Sequence, residues 1–251
     1  MEKPKGIFQS MIRFPLENEE MAAGFALFSP FNDKELNDKT CRLLHPDEIK
    51  TGSGYASDIR RRSFLHGRIA AKMSVNQVFP DIPPAELQIA TGCFGEPLLK
   101  NLAWPYGISI AHDDLWNAGL CFPLSHPMGT DVETITEKNR AIILSILSDH
   151  EKAMCSKEED SLEFFHLLWT AKEAAGKAIG LGFRVPQAWY EIDSVEAIST
   201  DPYLIRQCRF KQLSMFTTLS VTVGHGLLSI AFPTEKKLDQ PIFRLLENLM
   251  D

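Results

Sequence analysis

A weak internal repeat constrains this chain more than any other feature. Leu44-His45-Pro46-Asp47-Glu48 is echoed by Leu147-Ser148-Asp149-His150-Glu151, and each is followed, after a polar stretch, by an apolar segment of helical spacing, Phe64 to Val78 and Phe164 to Ile179. Those segments lead to two similar strand endings, Ala118-Gly119-Leu120-Cys121-Phe122-Pro123 and Leu228-Ser229-Ile230-Ala231-Phe232-Pro233. A chain of 251 residues with this pattern is expected to fold as two similar α+β lobes, each a helix packed on a small antiparallel sheet. Pro123, His126 and Pro127 interrupt the pattern, which puts the expected division at residues 1–127 and 128–251.

Within each half the reading is helix followed by antiparallel strands. Asp58 is expected to cap a helix that runs to about Val78 and ends at Pro80, with Phe64, Leu65, Ile69 and Met73 recurring at helical spacing and Arg61, Arg68 and Lys72 on another face. Ser148 and Glu151 have capping-box spacing. Asp160 or Ser161 is the expected start of the second long helix, and Gly180 and Gly182 its stop. Trp189 to Asp193 and Tyr203 to Phe210 read as strands, and Thr218 to Phe232, broken by Gly224-His225-Gly226, reads as a hairpin.

No apolar run approaches the roughly 20 residues that span a bilayer, and Met1 to Ser10 lacks the apolar core of a secretory signal, so the expected compartment is the cytoplasm. Five cysteines, odd in number and without a pair at metal-ligand spacing, read as reduced and structural. A net charge of −7 argues against nucleic acid as a partner. It leaves room for a small anionic ligand met by a local basic patch, for which Arg60-Arg61-Arg62, Arg68 and Lys50 are available.

Two short segments of the second half carry chemistry. On a strand over Gly129 to Thr134, Asp131 and Glu133 point to the same side. On a helix over Trp169 to Lys177, Glu173 and Lys177 lie one turn apart, with Trp169 a turn earlier. Three carboxylates, Lys172, Lys177 and the upstream His112 are the equipment for holding a divalent cation against a diphosphate. Taken singly, Asp131 and Glu133 describe a solvated strand face, and Glu173 and Lys177 a surface pair worth about 0.3–0.5 kcal/mol.

Taken together, these residues resemble the 4′-phosphopantetheinyl transferases of the larger, Sfp type. Gly129-Thr130-Asp131-Val132-Glu133 is similar to the family's G-[IV]-D-[IV]-E strand, with Thr130 the one departure, and Trp169, Lys172, Glu173 and Lys177 match its W-x-x-K-E-x-x-x-K helix. Of the family's S-H element only His112 is present, after Ala111 and before Asp113-Asp114. Gly95-Glu96-Pro97 resembles the family's G-[KR]-P turn with an acid in the basic position, and Phe64 to Ala71 resembles its N-terminal helix.

The resemblance implies a pseudo-dimer of two lobes, coenzyme A as co-substrate on the first lobe's nucleotide side, and Mg²⁺ with the catalytic motifs on the second. It implies transfer of the 4′-phosphopantetheine arm to a serine of an acyl or peptidyl carrier protein, releasing 3′,5′-adenosine diphosphate. In that scheme Asp131, Glu133 and Glu173 hold the metal, Glu173 is the general base, and Lys177 neutralises developing charge. His112, Lys172, Arg62, Arg68, Gly95 and Pro97 meet coenzyme A. A monomer without nucleic-acid or membrane partners is expected. The same residues also allow a Mg²⁺-dependent phosphohydrolase, or a coenzyme A and carrier binding protein with transfer lost, which Glu96, Asp113 and Asp114 would favour by their negative charge.

Overall fold

The computed structural model describes residues 6–15, 20–156, 161–199 and 203–250, and it divides into two compact units, Met1–Pro127 and Met128–Asp251. Both are α+β. In the first, strands β1 (Ile7–Pro15) and β2 (Glu20–Phe28) precede three helices, α1 (Asp33–Leu43), α2 (Pro46–Ser53) and α3 (Asp58–Val78). Strands β3 (Gln88–Thr91), β4 (Pro97–Lys100), β5 (Tyr106–His112) and β6 (Asn117–Pro123) follow. The main sheet has the order β1-β2-β6-β5, with β3 and β4 forming a separate antiparallel pair.

The second unit starts with β7 (Gly129–Thr134), then α4 (Arg140–Ile146), α5 (Asp149–Cys155) and α6 (Ser161–Ala178). It continues through β8 (Ile192–Ser199), β9 (Ile205–Phe210), β10 (Phe216–Val223) and β11 (Gly226–Pro233) to α7 (Lys236–Met250). All five strands join one antiparallel sheet of order β7-β11-β10-β9-β8.

Local chemistry accounts for most boundaries. Ser57, rather than the expected Asp58, is the N-cap of α3, accepting from the Arg60 amide, and Asp58 is the first helical residue. Pro80 stops α3 two residues after Val78, as read from the sequence. Gly180 and Gly182 follow α6 at φ 72° and 52°, backbone that side chains with a Cβ resist. The cap expected from Asp160 or the Ser161 side chain lies outside the described residues. Trp189 and Tyr190 belong to a single 3-10 turn, Gln187–Tyr190, and the strand expected there starts only at Ile192. The hairpin through Gly224 forms as read, with Val223 opposite Gly226.

The two units share more than the sequence repeat disclosed. In each, a capping-box glutamate at the start of a short helix also reaches a buried lysine on the long helix and a strand amide. Glu48 caps with His45, accepts from Ile89 N at 2.8 Å and meets Lys72 Nζ at 3.2 Å. Glu151 caps with Ser148, accepts from Ile192 N at 2.8 Å and meets Lys172 Nζ at 2.7 Å. Each long helix also buries a histidine whose Nε2 accepts a backbone N–H, Phe31 to His66 at 3.0 Å and Thr136 to His166 at 3.3 Å. Lys72 is therefore no part of a basic helix face: it is fully buried and also donates to the carbonyls of Pro84 and Leu87.

These correspondences fix an alignment. Gly24 presses on the carbonyl of Ser74, and Gly129 on that of Ala174, so the two glycines are equivalent, as are residues 74 and 174. Ala26 and Phe28 then stand where the second unit has Asp131 and Glu133, and Met73 and Gln77 where it has Glu173 and Lys177. Ala26, Phe28 and Met73 belong to one apolar cluster, so the first unit has spent these positions on its core.

Burial holds the His66 ring neutral, with a pKa lowered to about 4, and the charges of Arg62 and His112 act in the same direction. The unfolded chain protonates His66 near its ordinary 6.5, so it binds the proton more readily than the folded chain between the two values. Stability is expected to fall with pH across that window, by about 2 kcal/mol between pH 7 and pH 5 for this one group. Urea unfolding at the two pH values should show that loss, and a smaller one in His66→Asn.

Candidate functional site

Strand β7 and helix α6 bring the second unit's expected residues together. Their approach depends on Gly129: a Cβ there would lie 2.1 Å from the Ala174 carbonyl oxygen and 2.6 Å from the Ala178 nitrogen, both backbone atoms of α6. With side chains alternating along β7, Gly129, Asp131 and Glu133 all face the helix. Lys177 Nζ donates to Asp131 Oδ1 at 2.7 Å, and Trp169 Nε1 donates to Glu133 Oε1 at 3.3 Å. Glu173 projects between these two contacts, one helical turn from each partner residue.

The carboxylates feel one another. Burial raises the Glu173 pKa to about 7, the Asp131 charge pushes the same way, and Lys177 opposes both. Tyr190, wholly buried, is raised to about 12 by burial and by the Glu173 charge, and its hydroxyl donates to the Gly182 carbonyl. Phe183 stands edge-on to Trp169 with centroids 5.3 Å apart and packs on Tyr190, so the segment after α6 walls one side of the carboxylates.

The donor set suits a hard divalent cation such as Mg²⁺. It consists of carboxylate oxygens, and the mutual repulsion of Asp131 and Glu173 is an excess of negative charge that a cation relieves. Among the described residues no group of three or more His, Cys, Asp or Glu side chains is already gathered as a metal cage. Asp131 is turned to Lys177 and Glu133 to Trp169. A partial shell completed by substrate phosphates and water is the usual way Mg²⁺ is held.

Lys172 does not join this group. Its ammonium is 1% exposed and bound to both oxygens of the fully buried Glu151, at 2.7 and 2.8 Å. The expectation that it contacts a phosphate is corrected on that ground: α6 turns it toward the core while Glu173, the next residue, faces β7. The sequence shows the Ser148–Glu151 cap, but nothing in that spacing tells that Glu151 also neutralises a lysine 21 positions on.

The other expected ligand residues lie in the first unit. His112 ends β5 and is exposed, and it lies beside Gly67 of α3, where a Cβ would be in ordinary contact with the His112 ring at 3.5 Å and tight against the Ile110 side chain at 3.0 Å. Arg62 is held at the start of α1 by Asp33 and by the Phe31 carbonyl, at 2.7 Å for the latter. Arg68 lies over the Phe64 ring, 4.8 Å from its centroid, and burial lowers its pKa. Gly95, at φ 79°, and Pro97 shape the hairpin between β3 and β4.

Two of the acids whose charge opposes an anionic ligand have local duties. Glu96 folds back to accept from the Phe94 amide at 2.8 Å, with its carboxylate lying where a Cβ on Gly92 would be. Asp113 accepts from the amides of Leu115 and Trp116 at 2.8 and 2.7 Å, closing the turn from β5 to β6.

Gly129→Ala tests the β7–α6 approach. Overpacking of this kind typically costs about 1–3 kcal/mol, and the shift needed to relieve it separates Asp131 from Lys177. Lower stability in urea and a fall in activity per folded molecule are expected together.

The second unit is thus an α+β unit whose paired strand carboxylates, Asp131 and Glu133, lie beneath the helix that carries Trp169, Glu173 and Lys177. Residues 127–227 match the family model of the 4′-phosphopantetheinyl transferase superfamily. The chain is 31% identical over 134 residues to the 4′-phosphopantetheinyl transferase gsp of Aneurinibacillus migulanus, a match covering 53% of this chain and 54% of that protein. It is 30% identical over 101 residues to the holo-[acyl-carrier-protein] synthase of Geobacter metallireducens, covering 38% of this chain and 80% of that protein. The 4′-phosphopantetheinyl transferase Sfp of Bacillus subtilis is 22% identical over 178 residues, covering 68% of this chain and 69% of that protein. The chain belongs to the 4′-phosphopantetheinyl transferase superfamily. It spans about half the length of the gsp relative. No helix among the described residues is long and apolar enough to cross a membrane.

Proposed function

We propose that this protein transfers the 4′-phosphopantetheine arm of coenzyme A to a serine of an acyl or peptidyl carrier protein. The observation that carries the reading is the convergence of Asp131, Glu173 and Lys177 where β7 meets α6, in a family whose named relatives are phosphopantetheinyl transferases and holo-carrier synthases.

The serine oxygen forms a bond to the β-phosphorus while the bond from that phosphorus to the bridging diphosphate oxygen breaks, releasing 3′,5′-adenosine diphosphate. Glu173 takes the serine proton. Lys177, part exposed and anchored on Asp131, is placed to donate to the phosphate oxygens as charge builds on them. Asp131, Glu133 and Glu173 are the residues that would hold Mg²⁺, which supplies neutralisation of the diphosphate charge when bound. His112, Arg62 and Arg68 are the residues we propose as donors for the coenzyme, with Gly95 and Pro97 as further contacts. Internal duplication supports action as a monomer, and the compartment we propose is the cytoplasm.

Intact-mass analysis of several apo carrier proteins with coenzyme A and Mg²⁺ tests the reading. A phosphopantetheine mass gain is expected on at least one carrier. Release of 3′,5′-adenosine diphosphate without any gain would replace transfer by hydrolysis, and coenzyme A binding without turnover would replace it by a binding role.

A further inference from the structure

The second unit contains a buried chain of hydroxyls that its first-unit counterpart lacks. Ser220 Oγ and Ser229 Oγ are 2.7 Å apart, Ser229 Oγ and Thr170 Oγ1 are 2.8 Å apart, and Thr170 Oγ1 lies 2.9 Å from the His166 carbonyl. All three side chains are at most 1% exposed. From the other face of the sheet, Thr130 donates to the Ser229 carbonyl at 3.2 Å, and Thr130 is the one residue of its strand that departs from the family pattern.

The first unit supplies an internal control. By the alignment above, Gly119 stands for Ser229, Ala70 for Thr170 and Ile110 for Ser220. There the helix simply rests on the strand, with the Gly119 Cα against the Ala70 carbonyl. The fold therefore does not require hydroxyls at this contact, and burying them is unfavourable unless each is bonded. They occur in the half that also has the carboxylates.

Their position gives them a task. Ser229 is the cross-strand partner of Asp131, and Thr170 lies one turn before Glu173 on α6. Ser229 thus links the strand position that holds Asp131 to the helix that carries Glu173 and Lys177. Side-chain hydrogen bonds have directional geometry that apolar contact lacks, so they fix the rotation and register of α6 on the sheet.

We infer that Ser220, Ser229 and Thr170 are positioning residues that set α6 against β7 so that Glu173 and Lys177 meet Asp131. The inference rests on the transferase reading for its kinetic test and on the carboxylates alone for its binding test. Loss of such supporting contacts typically costs about 10- to 100-fold in activity or metal affinity.

Thr170→Val keeps the shape and removes the hydroxyl, Ser229→Ala removes its partner, and Thr170→Ser keeps the bond. For the Val and Ala variants kcat is expected to fall about tenfold with KM for coenzyme A and carrier little changed, and the double variant is expected to be no worse than either single. Mn²⁺ affinity, read by electron paramagnetic resonance on protein with Mn²⁺ alone, is expected to weaken in the same variants. Thr170→Ser should restore both. Wild-type kcat and Mn²⁺ affinity in Thr170→Val and Ser229→Ala would overturn the inference, as would a loss that Thr170→Ser shares. A wild-type protein that transfers nothing, with Mn²⁺ affinity still weakened in the Val and Ala variants and restored in Thr170→Ser, would remove the transferase reading and leave the positioning role standing.

Discussion

Glu173→Gln is expected to lower the rate of transfer to a carrier serine by about 10²- to 10⁴-fold, the usual contribution of a positioned general base. Glutamine has nearly the same shape and keeps a hydrogen-bonding head, so the local packing of α6 survives. What it loses is the capacity to take a proton. Stability is expected to hold or rise slightly, because burial and then the Asp131 charge disfavour the native carboxylate by more than Lys177 favours it, and the neutral amide removes all three effects. The measurement is single-turnover transfer followed by intact mass, with urea unfolding on the same preparation. A rate within threefold of wild type would show that another group takes the serine proton and would return Glu173 to a purely electrostatic place beside Asp131.

Much of this site was legible in the sequence because its two elements are local. Period-two spacing puts Asp131 and Glu133 on one face, and helical spacing puts Glu173 and Lys177 one turn apart, and both hold in the structure. The repeat foretold two α+β halves for a similar reason, since capping and helical periodicity are written in short windows. The misses concern distance in sequence. Glu151 and Lys172 are 21 positions apart, and their meeting depends on how α5 packs against α6. The same holds for Tyr190, which reads as part of a strand until Gly182 turns the chain back on α6. Hairpin β1–β2 and helix α7 also escaped, the first because its strands lie before any repeat signal, the second because Pro241 inside it reads as a breaker.

Lys172→Met separates the corrected role of this lysine from the one its motif suggests. A phosphate contact would show as a higher KM for coenzyme A in a protein of unchanged stability. The structure leads to the opposite expectation. Removing the ammonium leaves the Glu151 carboxylate buried with only the amides of Ser148 and Ile192, and breaking a buried pair on one side typically costs about 3–5 kcal/mol. Glu151 cannot turn to water to recover that energy, because it also pins α5 and the start of β8. The first unit repeats the arrangement with Lys72 and Glu48, so Lys72→Met should destabilise by a similar amount. The two variants are expected to differ in one respect: Lys172 adjoins Glu173 on α6, whereas the position next to Lys72 is Met73, in an apolar core. Urea unfolding of both, with KM and kcat measured on the folded fraction, decides the matter. Equal stability losses, with kcat reduced only in Lys172→Met and KM for coenzyme A unchanged in both, are the expected result. A raised KM without a stability loss in Lys172→Met would restore the phosphate contact and require α6 to present that side chain to the ligand.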